Sequence, residues 1–150
     1  MKRVLTLAMT AMLAAVASTS VRASEEMKAI VASYLDVQAQ LVADKTEAIK
    51  TQAHAIGEQA AKMGQPGTEM AEAASELEAA GDIKAMRTAF ATLSEAVIAA
   101  AKADGWTDVS GLKLVYCPMV KHQWLQKGDK MQNPYYGQAM PGCGEFRKVQ

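Results

Sequence analysis

Sulfur-bearing side chains near the carboxyl end of the sequence have the types and the spacing to bind a metal ion. Cys117 and Cys143 are the two cysteines of the chain, and Met119 and Met140 lie within three residues of them. Thiolate and thioether ligands are soft and select Cu(I) over hard cations, whereas a zinc site would contain more cysteine and histidine and no methionine. These four residues predict a soft-metal site, with copper as the preferred ion.

The backbone around these residues favours their convergence. Cys117 and Met119 are two positions apart, so on a strand both side chains point to the same face. Glycines flank Cys143 on both sides and allow the chain to curl tightly. Asn133-Pro134, followed by two tyrosines and a glycine, is typical of a turn. His122 is a fifth candidate ligand, because it is the imidazole nearest to the sulfur atoms in sequence.

The first 23 residues indicate a cleavable secretory signal. A short positive start precedes an apolar run from Val4 to Val16, and Val21-Arg22-Ala23 fits a signal-peptidase site. A membrane-spanning helix needs about 20 apolar residues, so we expect no membrane insertion after cleavage. The sequence predicts one periplasmic or secreted domain over residues 24–150, in which the segment 111–150 carries the cysteines.

Export also predicts a disulfide as an alternative use of the same cysteines, because bridges persist in oxidising compartments. A Cys117–Cys143 bridge would close a 27-residue loop, and the chain-entropy model gives it about 3 to 4 kcal/mol of stabilisation. The two uses are not exclusive, since one pair can be a bridge when empty and a ligand pair when loaded. Both alternatives stay open at the level of sequence.

Four helical segments must support this part of the chain. Apolar residues recur at helical spacing over residues 25–103, with breaks at Asp44, Gly64-Gln65-Pro66-Gly67 and Gly81-Asp82. We expect a capping box that begins at Asp44, and caps at Thr68 and Asp82. Leu112-Lys113-Leu114-Val115-Tyr116 alternates as a strand. The predicted fold is mainly α, an antiparallel three- or four-helix bundle with a short C-terminal strand and loop cap that carries both cysteines.

Composition and missing motifs argue against several functions. The sequence has 16 basic and 16 acidic residues, and loss of the signal leaves a mildly acidic domain that is a poor candidate for nucleic acid. No matched nucleophile, base and acid are found, and there is no Cys-x-x-Cys motif, so no enzyme is expected. His54 lies off the apolar seam of its helix and is expected at the surface.

Several motifs resemble those of an exported bacterial domain of unknown function, the DUF3347 family. In the tail they are Val115-Tyr116 leading into Cys117-Pro118-Met119, Trp124-Leu125-Gln126, Asn133-Pro134-Tyr135-Tyr136-Gly137, and Met140 with Cys143-Gly144. A looser similarity continues upstream at Tyr34-Leu35, Leu41-Val42-Ala43-Asp44, and Arg87 with Phe90 and Leu93-Ser94.

Members of that family often occur with, or fused to, periplasmic adaptor subunits of copper/silver efflux systems. The resemblance implies a helical bundle with a sulfur-bearing cap and a role in handling copper beside such an adaptor. Cys117, Met119, Met140 and Cys143 match its motif, whereas His122 departs from it. The predicted function is an exported soft-metal binding or handling protein linked to efflux. The alternative is a disulfide-stapled helical interaction module without metal.

Overall fold

The computed structural model describes residues 25–103 and 111–148, so the predicted signal and the predicted helix end at Asp104-Gly105 lie outside the described residues. The helices are α1 (25–42), α2 (Ile49–Lys62), α3 (Thr68–Ala79) and α4 (Ile83–Ala103), and the strands are β1 (Leu112–Cys117), β2 (His122–Lys127) and β3 (Glu145–Arg147). The predicted mainly α class is confirmed, and a small antiparallel sheet forms its carboxyl end. In the described ranges, no helix combines the length and the apolar character that crossing a membrane requires.

The helices bury the apolar faces that the sequence spacing predicts. In α4 the buried positions include Met86, Phe90, Leu93 and Val97, three or four residues apart. Small residues let the helices approach closely, as at Gly57 of α2, where a Cβ would lie 3.8 Å from the Cβ of Ala74 in α3. The core continues into α1, where Tyr34 stacks on Phe90 with ring centroids 5.0 Å apart. Burial of these faces supplies the main driving force for folding.

The junction between α1 and α2 lies where predicted, but the predicted capping box is wrong. Residue 42 ends α1 and Ile49 begins α2, with Asp44 in the left-handed region at φ 58° between them. The carboxylate of Asp44 does not cap α2, because it forms an ion pair with Arg87 of α4. Glu47 accepts a hydrogen bond from its neighbour Thr46 instead of reaching back to Asp44.

The other two predicted caps have different outcomes. Thr68 is not a cap, because it is the first residue of α3 and Gly67 occupies the cap position. Gly67 is required there, since a Cβ would collide with the carbonyl oxygen of Ala60. The cap at Asp82 is confirmed, and its Oδ1 accepts a hydrogen bond of 2.8 Å from the N–H of Ala85.

The sheet has the strand order β2-β1-β3, and both pairings are antiparallel. The strand predicted at Leu112 is confirmed as β1, whereas β2 and β3 were not predicted. The backbone N–H of Leu125 in β2 donates to the hydroxyl of Tyr34 at 3.1 Å, and that hydroxyl also contacts Ser94 Oγ of α4 at 2.6 Å. These buried hydrogen bonds tie the sheet to α1 and α4.

Buried Gln126 fixes the turn that follows β2. Its Oε1 accepts hydrogen bonds from Trp124 Nε1 and from the backbone N–H of Gln132, both at 3.1 Å. Its Nε2 donates to the carbonyl oxygen of Lys130 at 2.8 Å. Both polar atoms of this side chain therefore have partners, as burial demands. These hydrogen bonds hold residues 130–132 beside the end of β2.

Candidate metal centre

The sheet pairing and one glycine bring the two cysteines into contact. Val115 and Cys117 are two positions apart on β1, so they share one face of the sheet. Gly144 packs on that face, where a Cβ would lie 3.0 Å from Val115 and 2.8 Å from Trp124. The residue before this glycine, Cys143, is thereby placed beside Cys117.

The thiol pair, Cys117 and Cys143, is not bridged in this structure. The two Sγ atoms are 3.5 Å apart, about 1.5 Å farther than the sulfur–sulfur bond of a disulfide, and both cysteines are free. Cys117 is fully buried, whereas Cys143 is partly exposed. The structure therefore shows two thiols in contact and no disulfide, which the sequence had offered as one of two alternatives, and the thiol of Cys143 is partly open to solvent.

The turn after β1 directs hydrogen-bond donors to the sulfur of Cys117. Burial raises the pKa of this thiol, but hydrogen bonds from the backbone N–H of Val120 and from the Cys143 thiol lower it. The backbone N–H of Met119 and the side-chain amide of Asn133 lower it further, so that the net pKa lies below the usual value. The hydrogen bonds stabilise the Cys117 thiolate by more than burial destabilises it.

Cys143 shows the opposite change. The hydrogen bond that it gives to Cys117 raises its pKa, and burial and the negative charge on Cys117 raise it further. The two groups titrate as a unit: the first proton leaves more easily than from an ordinary thiol, and the second leaves less easily. When the pair has lost one proton, this arrangement favours the charge on Cys117, with Cys143 as its hydrogen-bond donor.

Asn133 holds the two cysteine segments together, a role that sequence reasoning missed. This fully buried side chain donates from Nδ2 to the carbonyl oxygen of Cys143 at 2.6 Å. Its Oδ1 accepts from the backbone N–H groups of Tyr135 and Tyr136 at 2.8 and 3.3 Å. The sequence signal was the Asn-Pro pair, which indicates a turn but not the side-chain contacts that the turn creates.

A clamp made by Arg87, Asp44 and Gln138 anchors the turn to the helices. Arg87 donates from Nε to the carbonyl oxygen of Pro134 at 3.0 Å, and from Nη2 to that of Leu41 at 3.1 Å. The same Nη2 lies 2.5 Å from Asp44 Oδ1, while Asp44 Oδ2 accepts from the backbone N–H of Gln138 at 3.3 Å. The thiol pair is therefore positioned by contacts that reach from α1 and α4.

Gly137 allows the clamp to close, and its replacement should open it. The residue has φ 53°, and a Cβ would collide with the Asp44 carboxylate and the Arg87 guanidinium. We expect Gly137→Ala to lower the free energy of unfolding by about 2 to 4 kcal/mol, through overpacking and backbone strain. Urea denaturation measures this loss. The matched control is Gly81→Ala, since a Cβ there meets nothing within 4 Å. Equal effects of the two substitutions would contradict the clamp.

The other predicted ligands lie in the segments that carry the thiols. Met119 is in the turn after Cys117, and Met140 accepts a backbone hydrogen bond of 3.3 Å from Cys143; both side chains are exposed. His122 is paired with Cys117 across β1 and β2, and its exposed ring packs on Tyr135 at a centroid distance of 5.7 Å. The structure thus joins the two thiols and leaves two thioethers and one imidazole in neighbouring positions.

The donor set of the site is one of sulfur atoms. Among residues 25–103 and 111–148, no group of three or more His, Cys, Asp or Glu side chains is placed to hold an ion. The sulfur donors that the fold brings into contact are those of Cys117 and Cys143. With metal–sulfur bonds of about 2.3 Å, sulfurs 3.5 Å apart subtend an angle of about 100° at a shared ion. If the two Sγ atoms moved about 1 Å farther apart, the sulfur–metal–sulfur angle would be about 180° with bonds of the same length. Both separations are short enough for two sulfurs to share one soft ion.

His54 takes no part in this site. Its exposed ring lies on α2, with Nδ1 3.3 Å from Glu78 Oε1 and Nε2 3.8 Å from Glu58 Oε1. The surface position predicted from the sequence is confirmed.

The fold and the thiol pair define a mainly helical domain with a small sulfur-bearing sheet at its carboxyl end. A family model described as "Protein of unknown function (DUF3347)" matches residues 30–108. Since the match covers more than half of the chain, the protein belongs to this family. The match runs from within α1 to just beyond the end of α4 and stops before β1, whereas the resemblance in the sequence motifs rests mainly on the tail. Neither a curated protein nor a solved structure matches the chain.

Proposed function

We propose that this protein is an exported domain that binds Cu(I) through Cys117 and Cys143, and buffers the ion or passes it to an efflux system. The observation that carries the proposal is the contact between two unbridged thiols, 3.5 Å apart. The sequence of residues 1–23 supports export to the periplasm or beyond. The family resemblance supports a periplasmic efflux adaptor as the partner.

The electrostatics of the pair suit a soft cation. Burial opposes ionisation of Cys117, but the hydrogen bonds to its sulfur lower the pKa of this thiol and so favour the thiolate, which is the form that binds metals. Cys143 provides the second sulfur after losing its proton to solvent when the metal binds. Two thiolates carry enough charge to neutralise Cu(I), and their softness matches that ion better than a hard divalent cation.

The exposed neighbours of the pair give the ion a route to the surface. Met119 and Met140 present thioethers beside the two cysteine segments, and His122 lies across the strands from Cys117. Thioethers bind Cu(I) without a proton change, because methionine sulfur carries no proton to lose. These side chains serve as auxiliary ligands during entry and release, while Cys117 retains the ion from its buried position.

Anaerobic titration of the reduced protein with Cu(I), in competition with a chromophoric chelator, tests the proposal. We expect one Cu(I) per chain, and loss of that binding in the double variant Cys117→Ser/Cys143→Ser, because hydroxyl groups replace both soft ligands. The control is His54→Ala, which removes an exposed imidazole on α2 and should bind like the wild type. Unchanged Cu(I) affinity in the double variant would overturn the proposal.

A disulfide-stapled interaction module is the second candidate, because a two-electron oxidant such as a disulfide reagent, which takes the two thiol protons and two electrons, would convert the pair to a bridge once the sulfurs approach by about 1.5 Å. In that case the bridge staples the tail to β1, and the exposed residues around it contact a protein partner. The two candidates differ in mass spectra and in metal uptake. A native mass two hydrogens below that of the reduced chain, with no Cu(I) uptake after reduction, would favour the module.

A further inference from the structure

Charge is distributed unevenly between the helices and the C-terminal cap, which we define as residues 111–148. Residues 25–103 contain twelve acidic and seven basic side chains, so the helical part is acidic. In the cap the balance is reversed, with two acidic residues, Asp129 and Glu145, against Lys113, Lys121, Lys127, Lys130, Arg147 and Lys148. The near-neutral total hides this asymmetry, in which the cap is basic and the helical part is acidic.

The two acidic side chains of the cap are already paired. Asp129 forms an ion pair with Lys113, and Glu145 Oε2 lies 2.9 Å from Arg147 Nη2. Within the described residues, Lys121 and Lys148 have no acidic partner within salt-bridge distance. Their positive charges are therefore available to a partner from outside the chain.

Two open clefts extend this basic surface onto the helices. One is lined by Lys84 and Arg87 of α4 together with Val120 and His122. The backbone N–H of Val120 is also a donor to Cys117, so this cleft adjoins the thiol pair. The other cleft is lined by Lys102, Tyr116, Gln123, Arg147 and Lys148. Basic side chains thus line both clefts.

Exposed apolar side chains occur beside the cysteines. The exposed large hydrophobic residues of the described chain are Met119, Met140 and Phe146, with exposed fractions of 60%, 36% and 46%. Each of them is within three residues of Cys117 or Cys143 in sequence. Exposed apolar residues grouped within a polar surround are typical of interaction surfaces, and the surround here is basic.

We propose that the cap is the docking surface for an acidic protein that exchanges Cu(I) with the thiol pair, an inference that rests on the proposed function. The partner presents a thiol or thioether within an acidic surface, which complements the basic cap and is repelled by the acidic helices. Such complementarity orients encounters and raises association rates. The partly exposed Cys143 is the sulfur that a partner ligand reaches, since Cys117 is buried.

The exchange is a transfer of Cu(I) between sulfur ligands. As a partner thiolate forms a bond to copper, the bond from Cys143 breaks, and then the bond from Cys117 breaks as a second partner ligand binds. Copper stays Cu(I) and no electron moves. Cys143 and Cys117 take up one proton each as they release copper; a partner thiol supplies such a proton when it binds, and solvent supplies it where the partner ligand is a thioether.

Rates of Cu(I) transfer from two synthetic peptides test the docking surface. Both peptides hold Cu(I) through the same two cysteines, and one carries glutamates where the other carries lysines. At about 10 mM salt, where the Debye length is about 30 Å, we expect the acidic peptide to deliver Cu(I) at least about 10-fold faster. At physiological salt the Debye length falls to about 8 Å, and the difference should shrink.

Charge-reversal variants locate the effect on the surface. Lys84→Glu/Lys121→Glu/Lys148→Glu should remove or reverse the preference for the acidic peptide, while chelator competition gives an unchanged equilibrium affinity for Cu(I). The control Lys45→Glu/Lys50→Glu/Lys62→Glu alters the net charge equally, at exposed lysines that belong neither to the cap nor to the two clefts, and should keep the preference. Charge-independent rates, or equal effects of the two triple variants, would overturn the docking surface alone. Absence of Cu(I) binding would overturn the proposed function as well.

Discussion

Oxidation of the Cys117–Cys143 pair is expected to abolish stoichiometric Cu(I) binding and to raise the free energy of unfolding by about 3.5 kcal/mol. A bridge consumes both thiolates, so no charged sulfur remains for the ion. The sulfurs need to approach by only about 1.5 Å from their separation of 3.5 Å. Cys143 lies in a loop segment just before the short β3 strand, outside the helices.

The gain in stability follows from the loop that the bridge closes. A cross-link over 27 residues restricts the unfolded chain, and the chain-entropy model gives the stated magnitude. Guanidinium denaturation of protein treated with oxidised glutathione, compared with fully reduced protein, measures the change. Cys143→Ser given the same treatment is the control and should show no shift. Full Cu(I) binding by the bridged protein would contradict the assignment of these sulfurs as ligands.

The substitution Asn133→Ala is expected to lower stability by about 3 kcal/mol and to raise the pKa of Cys117. The variant leaves the backbone N–H groups of Tyr135 and Tyr136 and the carbonyl oxygen of Cys143 without their present partner. Each unsatisfied buried group costs about 1 to 3 kcal/mol. The loss of the amide donor also destabilises the Cys117 thiolate.

Asn133→Asp separates the effect on the thiol from the effect on the turn. The carboxylate keeps the acceptor for Tyr135 but replaces the donor beside Cys117 with a negative charge, so we expect a larger rise of the thiol pKa than in Asn133→Ala. Thiolate absorbance in the ultraviolet, followed against pH, measures the shift, and urea denaturation measures stability. Gln132→Ala, at the exposed neighbouring position, is the control. Thiol titrations that match the wild type in both Asn133 variants would contradict the role of this amide.

Local patterns predicted the helices well, because their limits are set by nearby residues. Pro66 and its flanking glycines end α2 near Lys62, and Asp82 caps α4. The capping box at Asp44 failed because Arg87, which is distant in sequence, binds the carboxylate that the local pattern assigned to the helix. Tertiary contacts of this kind override local preference and leave no local signal.

The sheet was harder to predict, for two reasons. In β2 the adjacent residues Trp124 and Leu125 are both buried, so the strand lacks the alternation that marks one-sided burial. β3 is three exposed residues long and depends on partners elsewhere in the chain, such as the pairing of Phe146 with Val115. The signal over residues 1–23 and the antiparallel bundle arrangement stay predictions.

The candidate site was predicted in its residue types but not in its geometry. Cysteine and methionine spacing indicated which atoms could bind a soft ion, but it left open whether Cys117 and Cys143 meet, which the structure shows that they do. The contact depends on the fit of Gly144 against Val115 and Trp124 and on the amide of Asn133. These contacts join segments that only the folded chain brings together, so spacing alone could not supply them.

X-ray absorption at the copper edge of the reduced, Cu(I)-loaded protein tests the central claim most directly, namely that Cys117 and Cys143 share one ion. We predict at least two sulfur neighbours at about 2.3 Å from copper, and the loss of one of them in Cys143→Ser. A copper environment of nitrogen and oxygen alone, or one that is the same in Cys117→Ser/Cys143→Ser as in the wild type, would contradict the claim.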